Sequence, residues 1–141
     1  MSSVRDIVRD RDLYQVGEFD TVAQVARRMA ELHVGAILVL NEEALRGVFS
    51  ERDLMKRVVL ENKDPATTAV RTVMTVDVVS VDELASLDDA MELMQSHNCR
   101  HLPVTRGSHV VGFLSMRDLM NFELARKTEE LHHMRAYIHG T

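Results

Sequence analysis

A single cysteine, Cys99, among 141 residues excludes an intramolecular disulfide and a zinc site built from cysteines, and it reads as a small buried apolar side chain. Tryptophan is absent, aromatic residues make up 4% of the chain and the net charge is −5, so neither a stacking platform nor a basic face for nucleic acid can be assembled. No run approaches the roughly eighteen apolar residues of a membrane helix. The opening "MSSVRDIVRD" has no apolar stretch of secretory type, so the expected address is cytoplasmic, without a membrane partner. Nucleophile elbows, phosphate-cradling glycine loops and His-Glu zinc helices are missing as well. We therefore expect no catalysis, no catalytic cofactor and no metal centre. What the chain does have is apolar content: 45% of residues, enough to fold one domain or two small, closely packed lobes.

Two stretches stand out. "GVFSERDLM" at residues 47–55 and "GFLSMRDLM" at residues 112–120 share a glycine, a serine and the run Arg-Asp-Leu-Met without a gap. That is more polar identity than packing requires. The same offset of 65 residues aligns "DLYQV" with "DVVSV" and holds through Met55 and Met120, so the chain is two copies of one unit. Upstream, "VRDIV" matches "VRTVM" at an offset of 66, one residue out of step, so each copy carries a lead-in segment. Turn formers in "ENKDPATT" mark the boundary, giving expected units at residues 1–64 and 65–126 and a helical tail at residues 127–141.

Within each unit the periodicity changes in a fixed order. Val22, Val25, Ala26, Met29 and Ala30 recur at three- and four-residue steps, the stripe of an amphipathic helix, and Thr21 with Gln24 can close a capping box at its start, as can Ser86 with Asp89. "GAILVL" and "RHLPVT" are too short for helices and read as strands, with Pro103 placing the second at an edge or leaving its end unpaired. A turn, another strand and a helix opened by Ser50 or Ser115 complete the unit. The order is strand, helix, strand, strand, helix. About 60 residues bury too little surface to be stable alone. The expected class is therefore α/β, with two units related by a pseudo-twofold axis and packed sheet to sheet.

The signature apolar-x-apolar-Ser-x-x-Asp closing each copy, the order of elements and the duplication together resemble a tandem CBS-domain pair, named for the cystathionine β-synthase domain and also called a Bateman module. The match spans roughly residues 4 to 125, and the chain is similar to small stand-alone bacterial CBS-pair proteins. A strand giving way to a helix points N–H groups and a positive dipole end at the sheet edge. There an arginine can hold phosphate, and an aspartate can accept both hydroxyls of a ribose cis-diol. The resemblance implies a regulatory sensor of adenine nucleotides, AMP foremost, with ATP, ADP, NAD(H) or S-adenosylmethionine as relatives, acting as a homodimer on an unidentified regulated protein. It places Ser50, Arg52 and Asp53 in one cleft and Ser115, Arg117 and Asp118 in the other. Tyr14, Val16, Val79 and Val81 would line the clefts with the pairs Gly35/Ala36 and Arg100/His101. The pairs differ in chemistry, so the clefts should differ in affinity.

Other readings of the same residues stand beside this one. Ser-x-x-Asp opening a helix is also a capping box. On that reading the clefts are vestigial and the protein is a structural adaptor; a small nucleotide-acting enzyme is a third possibility. His132, His133 and His139 in the tail suggest metal, but the first two point to different faces of a helix. Leu124, Leu131 and Ile138, at sevenfold spacing, favour packing on a neighbour or a second subunit. Met29, Met55, Met94 and Met120 fall at matching repeat positions, as expected for an adaptable core or a subunit interface.

Overall fold

The computed structural model describes residues 2–138. Its elements run α1 (Val4–Val8), β1 (Gln15–Gly17), α2 (Val22–Leu32), β2 (Ala36–Asn41), β3 (Ala44–Ser50) and α3 (Glu51–Asp53), which continues through a wider π-type stretch at Leu54–Val59. A 3₁₀ turn at Val70–Thr72 leads into β4 (Val81–Asp82), α4 (Leu87–Ser96), β5 (His101–Arg106), β6 (His109–Ser115) and α5 (Met116–Ile138). Each copy forms a three-stranded sheet in which the first strand runs parallel to the second and the second antiparallel to the third. Both hairpins carry a register shift at the same repeat position, Val39/Leu40 and Val104/Thr105. β3 and β6 touch where the two lobes meet.

The capping chemistry is as the sequence predicts on α2: Thr21 N–H donates to Gln24 Oε1 at 2.9 Å and Gln24 N–H to Thr21 Oγ1 at 3.2 Å. On α4, Ser86 accepts from the Asp89 N–H at 3.0 Å. Pro103 lies in the central strand of its sheet, not at the edge. Its ring removes a donor, and the consequence falls on the neighbour. Gln15 pairs with Leu38 in the first sheet, whereas the matching pairing in the second begins one residue later, at Val81 and Val104, so β4 is shorter than β1.

Each lobe has its own core, and each core is completed by the other copy's lead-in. α1 contributes Val4, Ile7 and Val8 to the core formed by Val81, Leu87, Ala90, Met94, Leu102, Val104, Leu114 and Leu119 of the second copy. Val70, Val73 and Met74 in turn join Val22, Val25, Met29, Ile37, Val39, Phe49 and Val58 of the first. The exchange is matched bond for bond. Val4 N–H donates to Ala85 O at 2.9 Å as Val70 N–H does to Asp20 O at 2.8 Å, and Arg5 N–H donates to Glu83 O at 2.8 Å as Arg71 N–H does to Glu18 O at 3.1 Å. This close docking is why both copies of the nine-residue stretch begin with glycine. A Cβ on Gly112 would stand 2.8 Å from Val8 side-chain atoms, and one on Gly47 would stand 2.6 Å from Thr75 O.

Met29 and Met94 are buried, whereas Met55 and Met120 are exposed. Cys99 is only partly buried, against the second core. α5 continues unbroken past residue 126, and from Leu124 to Ile138 every side chain but that of Ala136 is exposed. His132 and His133 lie on that exposed length, while His139 lies outside the described residues. Among the described residues, no helix is long and apolar enough to cross a membrane.

Candidate functional site

The strand-to-helix junctions of β3/α3 and β6/α5 carry the repeated signature, and both form reciprocal caps. Ser115 N–H donates to Asp118 Oδ2 at 2.8 Å while Asp118 N–H donates to Ser115 Oγ at 3.0 Å. In the first copy, Ser50 N–H reaches Asp53 Oδ2 at 3.0 Å and Asp53 N–H reaches Ser50 Oγ at 3.2 Å. Capping is thus real at both sites. Beyond the caps the two sites part company.

Asp53 is closed in. Its side chain is 8% exposed, the Ser50 and Thr75 hydroxyls donate to it at 3.1 Å, and Arg57 Nε stands 3.7 Å from Oδ1. Arg57 also donates to Met74 O at 2.7 Å, tying the second lead-in to this junction. Arg52 is an exposed side chain. Asp118 is more open, with 19% of its side chain exposed and, among the described residues, one ion-pair partner, Arg11, at 2.8 Å.

Asp118 borders a cavity of about 1200 Å³ between the lobes. Of the residues the sequence singled out, Ser115, Arg117, Asp118, Arg100, His101, Gly35, Ala36 and Tyr14 line it together. Ser50, Arg52 and Asp53 do not. Val16 packs against the first core and borders a separate shallow depression, while Val79 and Val81 pack into the second core. The two junction pairs, Gly35/Ala36 and Arg100/His101, thus face one shared cavity instead of serving one cleft each. Their backbones are tethered alike: Glu51 N–H donates to Gly35 O at 3.0 Å and Met116 N–H to Arg100 O at 2.8 Å.

Sequence reasoning missed Arg11, Asp12, His33 and Glu51, which also line the cavity. Arg11 lies in the segment where the offset slips by one residue and Asp12 directly follows it, and that slip was the available signal. The cavity mixes charges: Arg11, Arg100 and Arg117 face Asp12, Glu51 and Asp118. Burial pushes the Asp118 carboxyl up, but the Ser115 N–H and hydroxyl and the Arg11 guanidinium outweigh it and hold the group below its ordinary value. His101 stacks on Phe113, with ring centroids 5.3 Å apart. Burial, with Arg100 beside it, lowers the His101 pKa against the pull of Asp118 and Glu51, which favours the neutral ring. The cavity therefore offers a carboxylate for hydroxyls, guanidinium groups for phosphate, and a neutral ring with bare backbone for a flat base.

A family model, the CBS domain, matches residues 4–60 and again residues 70–125. The chain belongs to the CBS-domain family. YlbB of Bacillus subtilis is 35% identical over 132 residues, covering 92% of this chain and 86% of YlbB. The mitochondrial CBS protein CBSX3 of Arabidopsis thaliana is 29% identical, and the match spans 61% of its length. Among solved structures, a CBS-domain protein of Burkholderia ambifaria, proposed to act in signal transduction, superposes with a TM-score of 0.83 at 33% identity over 88% of this chain and 95% of that one. The CBS pair of protein MJ0100, solved with 5′-methylthioadenosine and S-adenosyl-L-methionine, shares the fold at a TM-score of 0.79 and 19% identity, over 89% of this chain and 98% of that one. The chain is thus a tandem CBS pair, a regulatory type of module.

Proposed function

We propose that this CBS pair is a cytoplasmic sensor that binds one adenosyl nucleotide per chain in the Asp118 cleft. AMP is the first candidate, and ATP, ADP, NAD(H) and S-adenosylmethionine share its adenosine. The reading rests on one observation: a diol acceptor (Asp118), phosphate donors (Arg11, Arg100, Arg117) and a base-sized slot (Tyr14, Gly35, Ala36, His101) border the same cavity. At about 1200 Å³ the cavity exceeds the ~300–1,000 Å³ usual for small-molecule sites, which leaves room for a nucleotide and its water. MJ0100's two adenosyl ligands support the class of ligand.

The cleft takes walls from both copies, so a ligand spanning it favours one arrangement of the lobes over another, and that difference is what a regulated partner would read. Met55 and Val59 on α3, and their repeat counterparts Met120 and Leu124 on α5, are all exposed. They offer a second chain a matched pair of apolar faces, and a homodimer joined there is part of this proposal.

A thermal-shift panel of AMP, ADP, ATP, NAD, NADH and S-adenosylmethionine against wild type and Asp118→Ala tests the reading. A ligand at a hundredfold excess over its Kd adds about 2.7 kcal/mol, which raises the midpoint by roughly 8–11 °C for a chain of this size. One ligand should do so in the wild type and lose its effect in Asp118→Ala. Absence of any shift in folded, nucleotide-free protein would leave the adaptor reading in its place.

A further inference from the structure

The exchanged lead-ins follow one another as far as Val8 and Met74 and then diverge. In the first lobe Thr75 forms a two-way backbone bridge with Val48, at 3.0 and 2.9 Å, and its hydroxyl reaches Asp53. In the second lobe the chain has one residue more before its first strand, the residue behind the change of offset from 66 to 65. There it turns instead, with Arg9 N–H on Arg5 O at 3.0 Å and Arg11 N–H on Val8 O at 3.2 Å. The loop so formed delivers the Arg11 guanidinium to Asp118 Oδ1 at 2.8 Å.

Asp118 Oδ2 is already held by the Ser115 N–H. Oδ1 is the oxygen a ribose diol needs, and it is the one Arg11 occupies. We propose that Arg11 selects the ligand of this cleft: it holds the Asp118 carboxylate while the cleft is empty, yields it to the ribose hydroxyls, and turns to the ligand's phosphate. This rests on the adenosyl reading given above. An exposed ion pair is weak enough to be displaced, and 48% of the Arg11 side chain is exposed. A phosphate gives the freed guanidinium a bidentate partner, which a bare nucleoside cannot. Arg100 and Arg117 line the same cavity but make no ion pair with Asp118 among the described residues, so they add attraction for phosphate without competing for the diol.

The test is calorimetric titration of adenosine and of AMP into wild type, Arg11→Gln, Arg11→Lys and, as a control on the same turn, Arg9→Gln, with a ligand-free melt of each to verify folding. In Arg11→Gln, AMP binding should weaken at least tenfold while adenosine binding holds or tightens several-fold, so the preference for AMP over adenosine falls more than tenfold. Arg11→Lys should recover part of it, and Arg9→Gln should leave both affinities unchanged. If Arg11→Gln alters both ligands by the same factor, or neither, the selecting role is refuted while the adenosyl reading stands. If wild type binds neither adenosine nor AMP at millimolar concentration, this inference falls, while the adenosyl reading is decided separately by the six-ligand thermal-shift panel.

Discussion

The two signature aspartates do different work, and removing them one at a time separates the roles without any ligand. Asp53→Ala deletes the acceptor of a helix cap, worth about 0.5–2 kcal/mol, together with the Thr75 hydroxyl bond and the Arg57 ion pair that fasten the second lead-in to the first lobe. Hydrogen bonds to a charged group contribute about 1.5–3 kcal/mol, so the expected loss is roughly 3–5 kcal/mol, a large share of the ~5–15 kcal/mol a domain possesses. Asp118→Ala loses its own cap, but its cation is half in water and returns there at little cost, for a total of about 1–2 kcal/mol. At roughly 3–4 °C per kcal/mol for this length, thermal melts followed by circular dichroism should fall about 9–20 °C for Asp53→Ala and about 3–8 °C for Asp118→Ala. Asp53→Asn, which keeps one acceptor oxygen, should land between wild type and Asp53→Ala and guards against a variant that fails to fold. Equal losses at the two positions would refute the argument that the first cleft is structural and the second open.

Gly112→Ala should destabilise by about 1–3 kcal/mol, the usual cost of overpacking, because its Cβ meets Val8 at 2.8 Å and α1 must shift outward; urea unfolding measures it, and an unchanged midpoint would show that α1 yields freely. The pH dependence has two separate limbs. Burial depresses the His101 pKa, so its share of stability is full above the unfolded-state value of about 6.5 and declines as pH falls toward the folded value. His101→Gln should flatten the decline of stability below about pH 6.5, as read from melts at a series of pH values. Asp118 is also held low, so its share is present above an unfolded pKa of about 3.9 and disappears in stronger acid, a limb that Asp118→Asn should remove.

The sheets and helices were legible because repeat identity and hydrophobic period are local properties. Thr21–Gln24 and the two Ser-x-x-Asp boxes read directly into observed hydrogen bonds. The exchange of lead-ins was not legible: "VRDIV" and "VRTVM" are near-copies, and nothing in either says which core it will enter. The difference between the clefts was hidden for a related reason. It hangs on Arg57, whose repeat counterpart is Phe122, and on the extra residue near Arg11, neither of which belongs to the shared signature. Pro103 was readable as a lost donor, but the strand that shortens in response is its partner, and pairing partners are set by tertiary structure.

The exchange also imposes an order on synthesis. The first lobe has all its core residues once Met74 has been made, and it can close while the rest of the chain is still being translated. The second lobe needs Val4, Ile7 and Val8, the earliest of its core residues to leave the ribosome, and they must wait until Leu119 has followed. At about 5–20 residues per second that wait lasts several seconds or more, and a five-residue helix cannot hold its shape alone over that time. Damage to the residues made first would therefore be felt in the lobe made last.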